Sequence, residues 1–207
     1  MIQTEVLIVG GGPAGAACAG RLLELGVGCL ILDRQAFPRP KPCAGWVTPQ
    51  VFQFLKCNPK DYPHGLTHFS SFQVSIKGIK FRLPTHQYAI RRVEFDVWLH
   101  KKASVEVIQH QVEEIQQTDS GFIIDGQFQA KALVGAGGTH CPVRQECFQP
   151  SSLKRRGSLI LAKEEEFKYP INDDRCHLWF FEDGLPGYAW VVPKFGGYLN
   201  IGIGASA

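Results

Sequence analysis

Hydrophobic residues change their spacing several times along the chain, and each change predicts a different kind of element. Glu5–Val9 and Gly28–Leu32 are apolar at nearly every position, as are parallel strands that are covered on both faces. Between them, Pro13–Leu25 is rich in Ala and Leu and stops before Gly26, the usual glycine position after a helix. The pattern predicts a strand, a helix and a second strand, the unit from which parallel sheets are built.

Further along, the spacing indicates a second kind of sheet. From His68 to Leu83, apolar and polar residues alternate on either side of Gly78, which predicts an antiparallel hairpin. Helical patterns follow Thr48, the expected N-cap of a helix ending near Lys56, and cover Arg92–Ala103. The other predicted strands are Val105–Ile108, Val112–Gln117, Phe122–Ile124, Lys131–Val134, Leu159–Phe167, His177–Phe181, Tyr188–Val192 and Tyr198–Ile203.

These elements predict an α/β fold in which a Rossmann-like nucleotide-binding domain is interleaved with an antiparallel sheet. We assign residues 1–64 and 88–155 to the first domain and residues 65–87 and 156–207 to the second. A chain of 207 residues has room for one domain or two small ones.

Composition narrows the class of protein. Hydrophobic residues make up 44% and charged residues 20% of the chain, which excludes disordered, collagen-like and coiled-coil proteins. The net charge is only +3 and the longest basic run is Lys154–Arg156, so we predict no nucleic-acid partner. No apolar stretch is long enough for a transmembrane helix, and the N-terminus lacks the basic start of a signal peptide.

Cysteine and histidine spacing argues against a disulfide framework and a metal centre. The seven cysteines are scattered and form no C-x-x-C pair, which favours a reducing compartment and a cytoplasmic protein. The seven histidines show no pair at ligand spacing on one element, so we predict no metal site.

A glycine motif between the first strand and the first helix carries the clearest chemistry. In this G-x-G-x-x-G motif, Gly10 would allow a tight turn, Gly12 the approach of a pyrophosphate, and Gly15 close packing of helix against strand. The phosphates would bind the free N–H groups of the helix N-terminus. Asp33, about 20 residues further on, would accept hydrogen bonds from ribose hydroxyls and repel a 2′-phosphate. We therefore predict binding of a dinucleotide, either FAD or NAD.

Two later segments resemble a group of FAD-dependent enzymes that contains the aromatic hydroxylases, the halogenases and the geranylgeranyl reductases. Arg92, Asp96 and Leu99 fit the R-x-x-F-D-x-x-L helix start of that group. By this resemblance Arg92 reaches the cofactor, while Asp96 and Leu99 hold the helix in place. Gly135–Arg144 is similar to the G-A-D-G-x-x-S-x-V-R segment of the group, with Gly137 in place of its Asp. The missing Asp argues against a dedicated NADPH site.

The most specific match is Pro186–Lys194, which resembles the Y-x-W-x-F-P-K segment of geranylgeranyl reductases. Lys41–Gly45 likewise resembles their K-x-C-G-G loop, which lies near the flavin, with Ala44 in place of a Gly. Tyr188 and Trp190 are two residues apart on a strand, so both rings should project to one face. They would form either a wall for the flavin and an apolar substrate or ordinary sheet core. The Cys43 thiol of this loop either lies beside the flavin or is incidental, without a role in the site.

The resemblance implies a flavoprotein in which the Rossmann-like domain binds FAD and the antiparallel sheet forms a substrate domain. It implies hydride transfer from reduced flavin to a C=C bond of an isoprenoid or similar apolar substrate, with NAD(P)H or a ferredoxin as electron donor. A lipid substrate would bring the protein into peripheral contact with a membrane. The alternatives are a flavin-dependent monooxygenase or halogenase, whose G-W-x-W-x-I-P segment is similar to Gly187–Pro193, and a truncated, non-catalytic FAD-binding protein.

The resemblance and the motifs together give a set of candidate site residues. The candidates near the flavin are Cys43, Tyr188 and Trp190. The residues predicted to contact the cofactor are Gly10, Gly12, Pro13, Ala14, Gly15, Asp33, Arg34, Cys43, Ala44, Gly45, Arg92, Val112 and Gly137. The resembled family also has a G-D-A-A-G-like segment that is not found after Gly204, so we expect either a fragment or a chain with a weakened flavin site.

Overall fold

The computed structural model describes residues 1–148, 160–170 and 173–206. Their strands are β1 (Ile2–Val9), β2 (Cys29–Asp33), β3 (Trp46–Val47), β4 (Thr67–Ile76), β5 (Ile79–Ala89), β6 (Val107–Gln109), β7 (Ile115–Thr118), β8 (Gly121–Ile124), β9 (Phe128–Gly135), β10 (Ile160–Lys168), β11 (Cys176–Phe180), β12 (Gly187–Lys194) and β13 (Tyr198–Ser206). The α-helices are α1 (Pro13–Glu24), α2 (Pro49–Phe54), α3 (Arg92–Ala103) and α4 (Pro142–Cys147).

The chain divides into two compact units, each with its own sheet. The first unit comprises Met1–Arg39 and Phe95–Lys154, and the second comprises Pro40–Glu94 and Arg155–Ala207. This is the mixed α/β fold, with two interleaved parts, that the spacing of apolar residues predicts.

The first unit is built on a six-stranded sheet in the order β6-β2-β1-β9-β8-β7. The first four strands of this order are parallel, and β7, β8 and β9 are connected as antiparallel neighbours. Residues 6–9 of the central strand β1 are buried, and α1 turns Ala16 and Ala19 towards the core. Small residues suit this helix face because they let the helix approach the sheet closely. The predicted strand–helix–strand unit is confirmed.

The second unit is built on a seven-stranded sheet in the order β10-β13-β12-β11-β4-β5-β3. The predicted hairpin is confirmed, since β4 and β5 pair through Ile76 and Ile79 on either side of Lys77 and Gly78. All neighbours are antiparallel except β11 and β4, whose parallel pairing joins the two stretches of chain that make up this unit. The core contains Phe72, Val74, Leu178, Trp190 and Val192.

The structure differs from the sequence-based assignment at residues 40–64 and 88–94. Both stretches were expected in the first domain, but they belong to the second unit. The reason is that β3 pairs with Tyr88 and Ala89 at the end of β5. Thr48 is the N-cap of α2 as expected, but its hydroxyl makes no capping hydrogen bond, and the helix ends at Phe54. Two expectations, the basic turn at 154–156 and the strand start at 159, lie outside the described residues.

None of the helices in the described ranges is long and apolar enough to cross a membrane.

Asp125 holds together the loops at one end of the first sheet. It has a positive φ of 48° in the turn between β8 and β9. Its carboxylate accepts hydrogen bonds from the backbone N–H groups of Glu113 (3.1 Å) and Glu114 (2.6 Å). His110 Nε2 lies 2.6 Å from the other carboxylate oxygen. Burial opposes ionisation, but the bonds from Glu114 and His110 outweigh it and hold the pKa of Asp125 below its ordinary value.

We expect Asp125→Asn to lower the free energy of unfolding by about 1–2 kcal/mol at neutral pH, because one charge-assisted contact is lost. A lowered carboxyl pKa contributes stability above the unfolded-state pKa of about 3.9, and this contribution is lost as the pH falls through the folded-state value. Urea unfolding should therefore show the difference shrinking below about pH 4. A difference that stays constant down to pH values near 3, or one shared by the exposed Asp119→Asn control, would contradict this role.

Candidate functional site

The turn after β1 is closed so tightly that two of its positions admit only glycine. Gly10 has a φ of +115°, and a Cβ built on it would lie 2.5 Å from the carbonyl carbon and oxygen of Ala136. A Cβ on Gly15 would lie 1.9 Å from the carbonyl oxygen of Gly10. Backbone therefore packs directly on backbone, and α1 starts at the carboxyl end of β1.

The N-terminus of α1 is open. Gly12 is the N-cap and has no side chain to accept hydrogen bonds from the first turn. A Cβ built on Gly12 would meet no atom within 4 Å, so there is space above it for a ligand. Pro13 and Ala14 follow in the first turn. Free amides and the positive end of a helix dipole together bind anions. This geometry fits a pyrophosphate.

The second glycine segment lies beside this turn. β9 is the parallel neighbour of β1, with Gly135 opposite Val9, and the N–H of Ala136 donates to the carbonyl of Val9 at 2.8 Å. The backbone nitrogen of Gly137 would be 2.6 Å from a Cβ on Gly10. The two glycine motifs, more than a hundred residues apart in the chain, therefore form one backbone surface at the carboxyl ends of β1 and β9.

The carboxylate of Asp33 already contacts three groups of the protein, which its position in the sequence did not predict. It is 7% exposed, and its carboxylate accepts hydrogen bonds from the N–H groups of Gly11 (2.8 Å) and Gln35 (3.0 Å). Arg39 Nη2 lies 3.2 Å away and forms an ion pair with it. A carboxylate has about four acceptor positions, so little capacity remains for a ribose.

Arg39 changes the electrostatic expectation. The expected repulsion of a 2′-phosphate considered the Asp33 charge alone, and the arginine offsets that charge. The guanidinium also lies over the ring of Phe37, 4.7 Å from its centroid. The buried Nε atom of Arg39 has no hydrogen-bond partner among the described residues, so one donor is left for a ligand.

His100 supports the glycine turn from α3, and sequence reasoning missed it. Its Nε2 lies 2.6 Å from the carbonyl oxygen of Gly11, so Nε2 must carry the proton, because a carbonyl only accepts. The ring of Phe37 packs edge-on against the imidazole at 4.4 Å between centroids. A histidine on the inner side of a predicted helix was the available signal, but nothing in its spacing indicated Gly11.

The remaining predicted cofactor residues of the two units have different surroundings. Arg34 is exposed. Val112 packs its side chain against the core of the first unit. Arg92 is half-buried at the start of α3, and Asp96 and Leu99 are buried. Since the Val112 side chain is packed, only its backbone is available for a ligand.

In the second unit, Lys41–Gly45 (the Cys43 loop) keeps glycine where the backbone needs it. Gly45 has a φ of +76°, and a Cβ there would lie 2.2 Å from the carbonyl oxygen of Ile90. Ala44, which replaces a glycine of the resembled family, packs against the core instead. The N–H of Gly45 donates to the Cys43 Sγ at 3.4 Å. Alanine is tolerated at position 44 because it is position 45 whose positive φ and close backbone contact require glycine.

The aromatic pair on β12 lies on one face of the sheet, as predicted. The ring centroids of Tyr188 and Trp190 are 5.3 Å apart, and Phe180 stacks on Tyr188 at 5.2 Å. Trp190 is 5% exposed and belongs to the core, whereas Tyr188 is only partly buried. For Trp190 the packing is therefore that of sheet core, and Tyr188 is the ring that a ligand can reach more easily.

A buried ion-pair network lies next to the Cys43 loop and was not anticipated. Lys194 is 2% exposed, and its Nζ lies 2.6 Å from Glu166 Oε2. Arg91 binds the other oxygen of Glu166 through Nε at 2.8 Å, and its guanidinium stacks on Tyr198 at 3.5 Å. A Cβ on Gly45 would be 2.8 Å from the Lys194 Nζ, so the lysine lies directly against the loop.

Taken together, the glycine surface and the antiparallel sheet define the class of FAD-dependent oxidoreductase folds. Residues 3–57 match the family described as FAD binding domain. A geranylgeranyl bacteriochlorophyll reductase-like protein from Thermoplasma acidophilum has the same fold, with a TM-score of 0.78 and 19% identity over 100% of this chain and 57% of that one. The flavin-dependent brominase Bmp2 also has it, with a TM-score of 0.71 and 18% identity over 99% of this chain and 56% of that one.

Among curated proteins, the chain is 26% identical to digeranylgeranylglycerophospholipid reductase 2 of Methanopyrus kandleri over 219 residues, which cover 98% of this chain and 55% of the relative. The resemblance to the geranylgeranyl reductases is thereby confirmed. The chain spans about half the length of the curated relatives it matches.

Two glycine variants separate folding from ligand binding. We expect Gly15→Ala to lower the free energy of unfolding by about 1–3 kcal/mol, because its Cβ would clash with the Gly10 carbonyl. Gly12→Ala should change it by less than about 0.5 kcal/mol, since the site is open, but weaken FAD binding roughly tenfold by filling the space above the helix N-terminus. Thermal unfolding and FAD fluorescence titration measure the two effects.

Gly28→Ala is the matched control for both variants, since a Cβ there meets only the Glu5 carboxylate at 3.6 Å. It should leave both quantities unchanged. Unimpaired FAD binding by Gly12→Ala would contradict the assignment of this turn to the cofactor.

Proposed function

We propose that this chain is the FAD-binding part of an oxidoreductase that reduces C=C bonds of an isoprenoid or similar apolar substrate. The observation that supports this most directly is the open helix N-terminus at Gly12, next to the turn at Gly10 on which the backbone of Ala136 and Gly137 packs. The similarity to the digeranylgeranylglycerophospholipid reductase supports this substrate class. We propose an isoprenoid lipid as the first candidate, brought to the protein by peripheral contact with a membrane.

Bound and reduced, FAD would supply the hydride for the reaction, and the chain's own residues bind and orient it. The amides at the start of α1 would hold the pyrophosphate next to Gly12, Ala14 and Gly15. Asp33 would act mainly by fixing the turn through the Gly11 amide, and Arg39 would offer its unpaired Nε to the nucleotide. We propose that the Cys43 loop and Tyr188 contribute to the flavin side of the site.

The inner face of the second sheet suits an apolar substrate. Across β4 and β5, Phe81 lies opposite Val74 and Leu83 lies opposite Phe72, and opposite residues of an antiparallel pair share a face. Val74 and Phe72 are core residues, but Phe81 is 43% and Leu83 47% exposed. The apolar surface that starts in the core therefore continues into the open, as in ligand-binding grooves.

The electron donor is proposed to be NAD(P)H or a ferredoxin. The first unit offers no carboxylate at Gly137 for a nicotinamide contact, which favours a protein donor over a dedicated NADPH site.

Two observations favour the monooxygenase or halogenase alternative: the shared fold of the flavin-dependent brominase and the similar Gly187–Pro193 segment. Because such a likeness shows fold alone, the reductase is the better supported function. Substrate-stimulated oxygen uptake would identify the alternative, and absence of any flavin would favour a protein that does not catalyse redox chemistry.

The reductase proposal predicts that the purified chain, loaded with FAD and reduced anaerobically, is reoxidised by a geranylgeranyl lipid. The product should contain two more hydrogen atoms per reduced bond, measured by mass spectrometry. Tyr188→Ala should slow reoxidation roughly tenfold, because part of the apolar wall is removed. Tyr169→Ala, at an exposed tyrosine of the same unit, is the control and should react normally. Reduced flavin that is stable to the lipid but is consumed by oxygen with substrate turnover would contradict the reductase.

A further inference from the structure

A hydrogen-bonded bridge crosses three strands of the second sheet and ends on the Cys43 loop. Trp190 Nε1 donates to Asn200 Oδ1 at 2.7 Å, and Asn200 Nδ2 donates to Glu164 Oε1 at 3.3 Å. The same carboxylate oxygen accepts a hydrogen bond from the backbone N–H of Cys43. β12, β13 and β10 thus contribute one member each, and the last member binds the loop.

The register of the sheet brings these side chains together. Gly202 on β13 is opposite Trp190 on one side and Glu164 on the other. A Cβ on Gly202 would be 2.2 Å from the Trp190 ring, so the indole lies across the glycine and reaches Asn200. Because Glu164 and Glu166 are two residues apart on β10, both face this side of the sheet.

Asn200 is fully buried, and a buried amide costs free energy unless its groups are hydrogen-bonded. Here its oxygen and its nitrogen are both used, one towards Trp190 and one towards Glu164. An apolar residue at this position would leave the Trp190 N–H without its acceptor. The amide of Asn200 therefore serves to orient the side chains of Trp190 and Glu164, not to bury apolar surface.

We propose that Glu164 and Asn200 are positioning residues that hold the Cys43 loop in a fixed place relative to the Trp190 strand. Their role in catalysis rests on the proposed function, because the Cys43 loop matters there as a flavin-side element. Neither residue needs to touch the substrate. Loss of either would release the Cys43 backbone and let its thiol move.

The test is the rate at which iodoacetamide alkylates Cys43, followed for each cysteine by peptide mass spectrometry. Glu164→Ala and Asn200→Ala should each raise this rate roughly tenfold, the equivalent of one lost charge-assisted hydrogen bond. The double variant should add little, because both changes break one bridge. Glu164→Gln keeps an acceptor for the Cys43 N–H and should restore the rate to within about twofold of the parent. A merely destabilised sheet would not be rescued in this way.

Two controls accompany the measurement. Glu165→Ala changes the exposed neighbour on the opposite face of β10 and should leave Cys43 unchanged. Cys176 should stay unreactive in every variant, because burial raises the pKa of its thiol to about 12, so its alkylation would reveal global unfolding. If Asn200→Ala fails to fold by this criterion, the variants of Glu164, which is half-exposed, still test the proposal.

An unchanged Cys43 rate in Glu164→Ala, or an equal rise in Glu164→Gln, would overturn the proposal. These measurements need no flavin, so they are separate from the proposed function. Added FAD should slow alkylation of Cys43 in the parent chain if the loop lies near the flavin. Absence of that protection with an intact Glu164 effect would reject the flavin placement and keep the bridge, whereas protection without a Glu164 effect would reject the bridge.

Discussion

The close approach of two backbones determines the rest of the first unit. Gly10 lies against the carbonyl of Ala136, and Gly15 lies against the carbonyl of Gly10, with no space for a side chain at either contact. This approach is possible because β1 and β9 are parallel neighbours and both end here. It directs α1 away from the turn so that the helix amides open next to Gly12. We propose that backbone geometry alone makes this an anion site, and that side chains such as His100, whose Nε2 binds the Gly11 carbonyl, hold the turn in place.

Much of this arrangement could be predicted from local sequence. The strand–helix–strand unit and the hairpin follow from apolar spacing, and the structural roles of Gly10 and Gly15 follow from the motif, because these signals depend on neighbouring residues. The contacts of Asp33 could not be predicted, since Arg39 reaches it through an irregular proline-rich segment. The same holds for His100 and Gly11, which are 89 residues apart. Long-range contacts of this kind leave no trace in the spacing of one sequence.

In the second unit, too, long-range contacts could not be predicted from the sequence, but one sequence signal for such a contact was available. Residues 40–64 join this unit partly through β3, which pairs only Trp46 and Val47 with β5, and so short a strand has no recognisable pattern. By contrast, Glu164 and Glu166 lie on one face of a strand, and carboxylates that are partly buried need cationic or N–H partners. The structure supplies Cys43 N–H for one and Arg91 with Lys194 for the other.

We propose that the two glycine segments form one cofactor surface. Hydrogen–deuterium exchange of the backbone amides, compared with and without FAD, is the sharpest test. FAD should slow exchange in residues 12–16 and in residues 135–139 at the same ligand concentration. Bound FAD that protects neither segment, or only one of them, would contradict it.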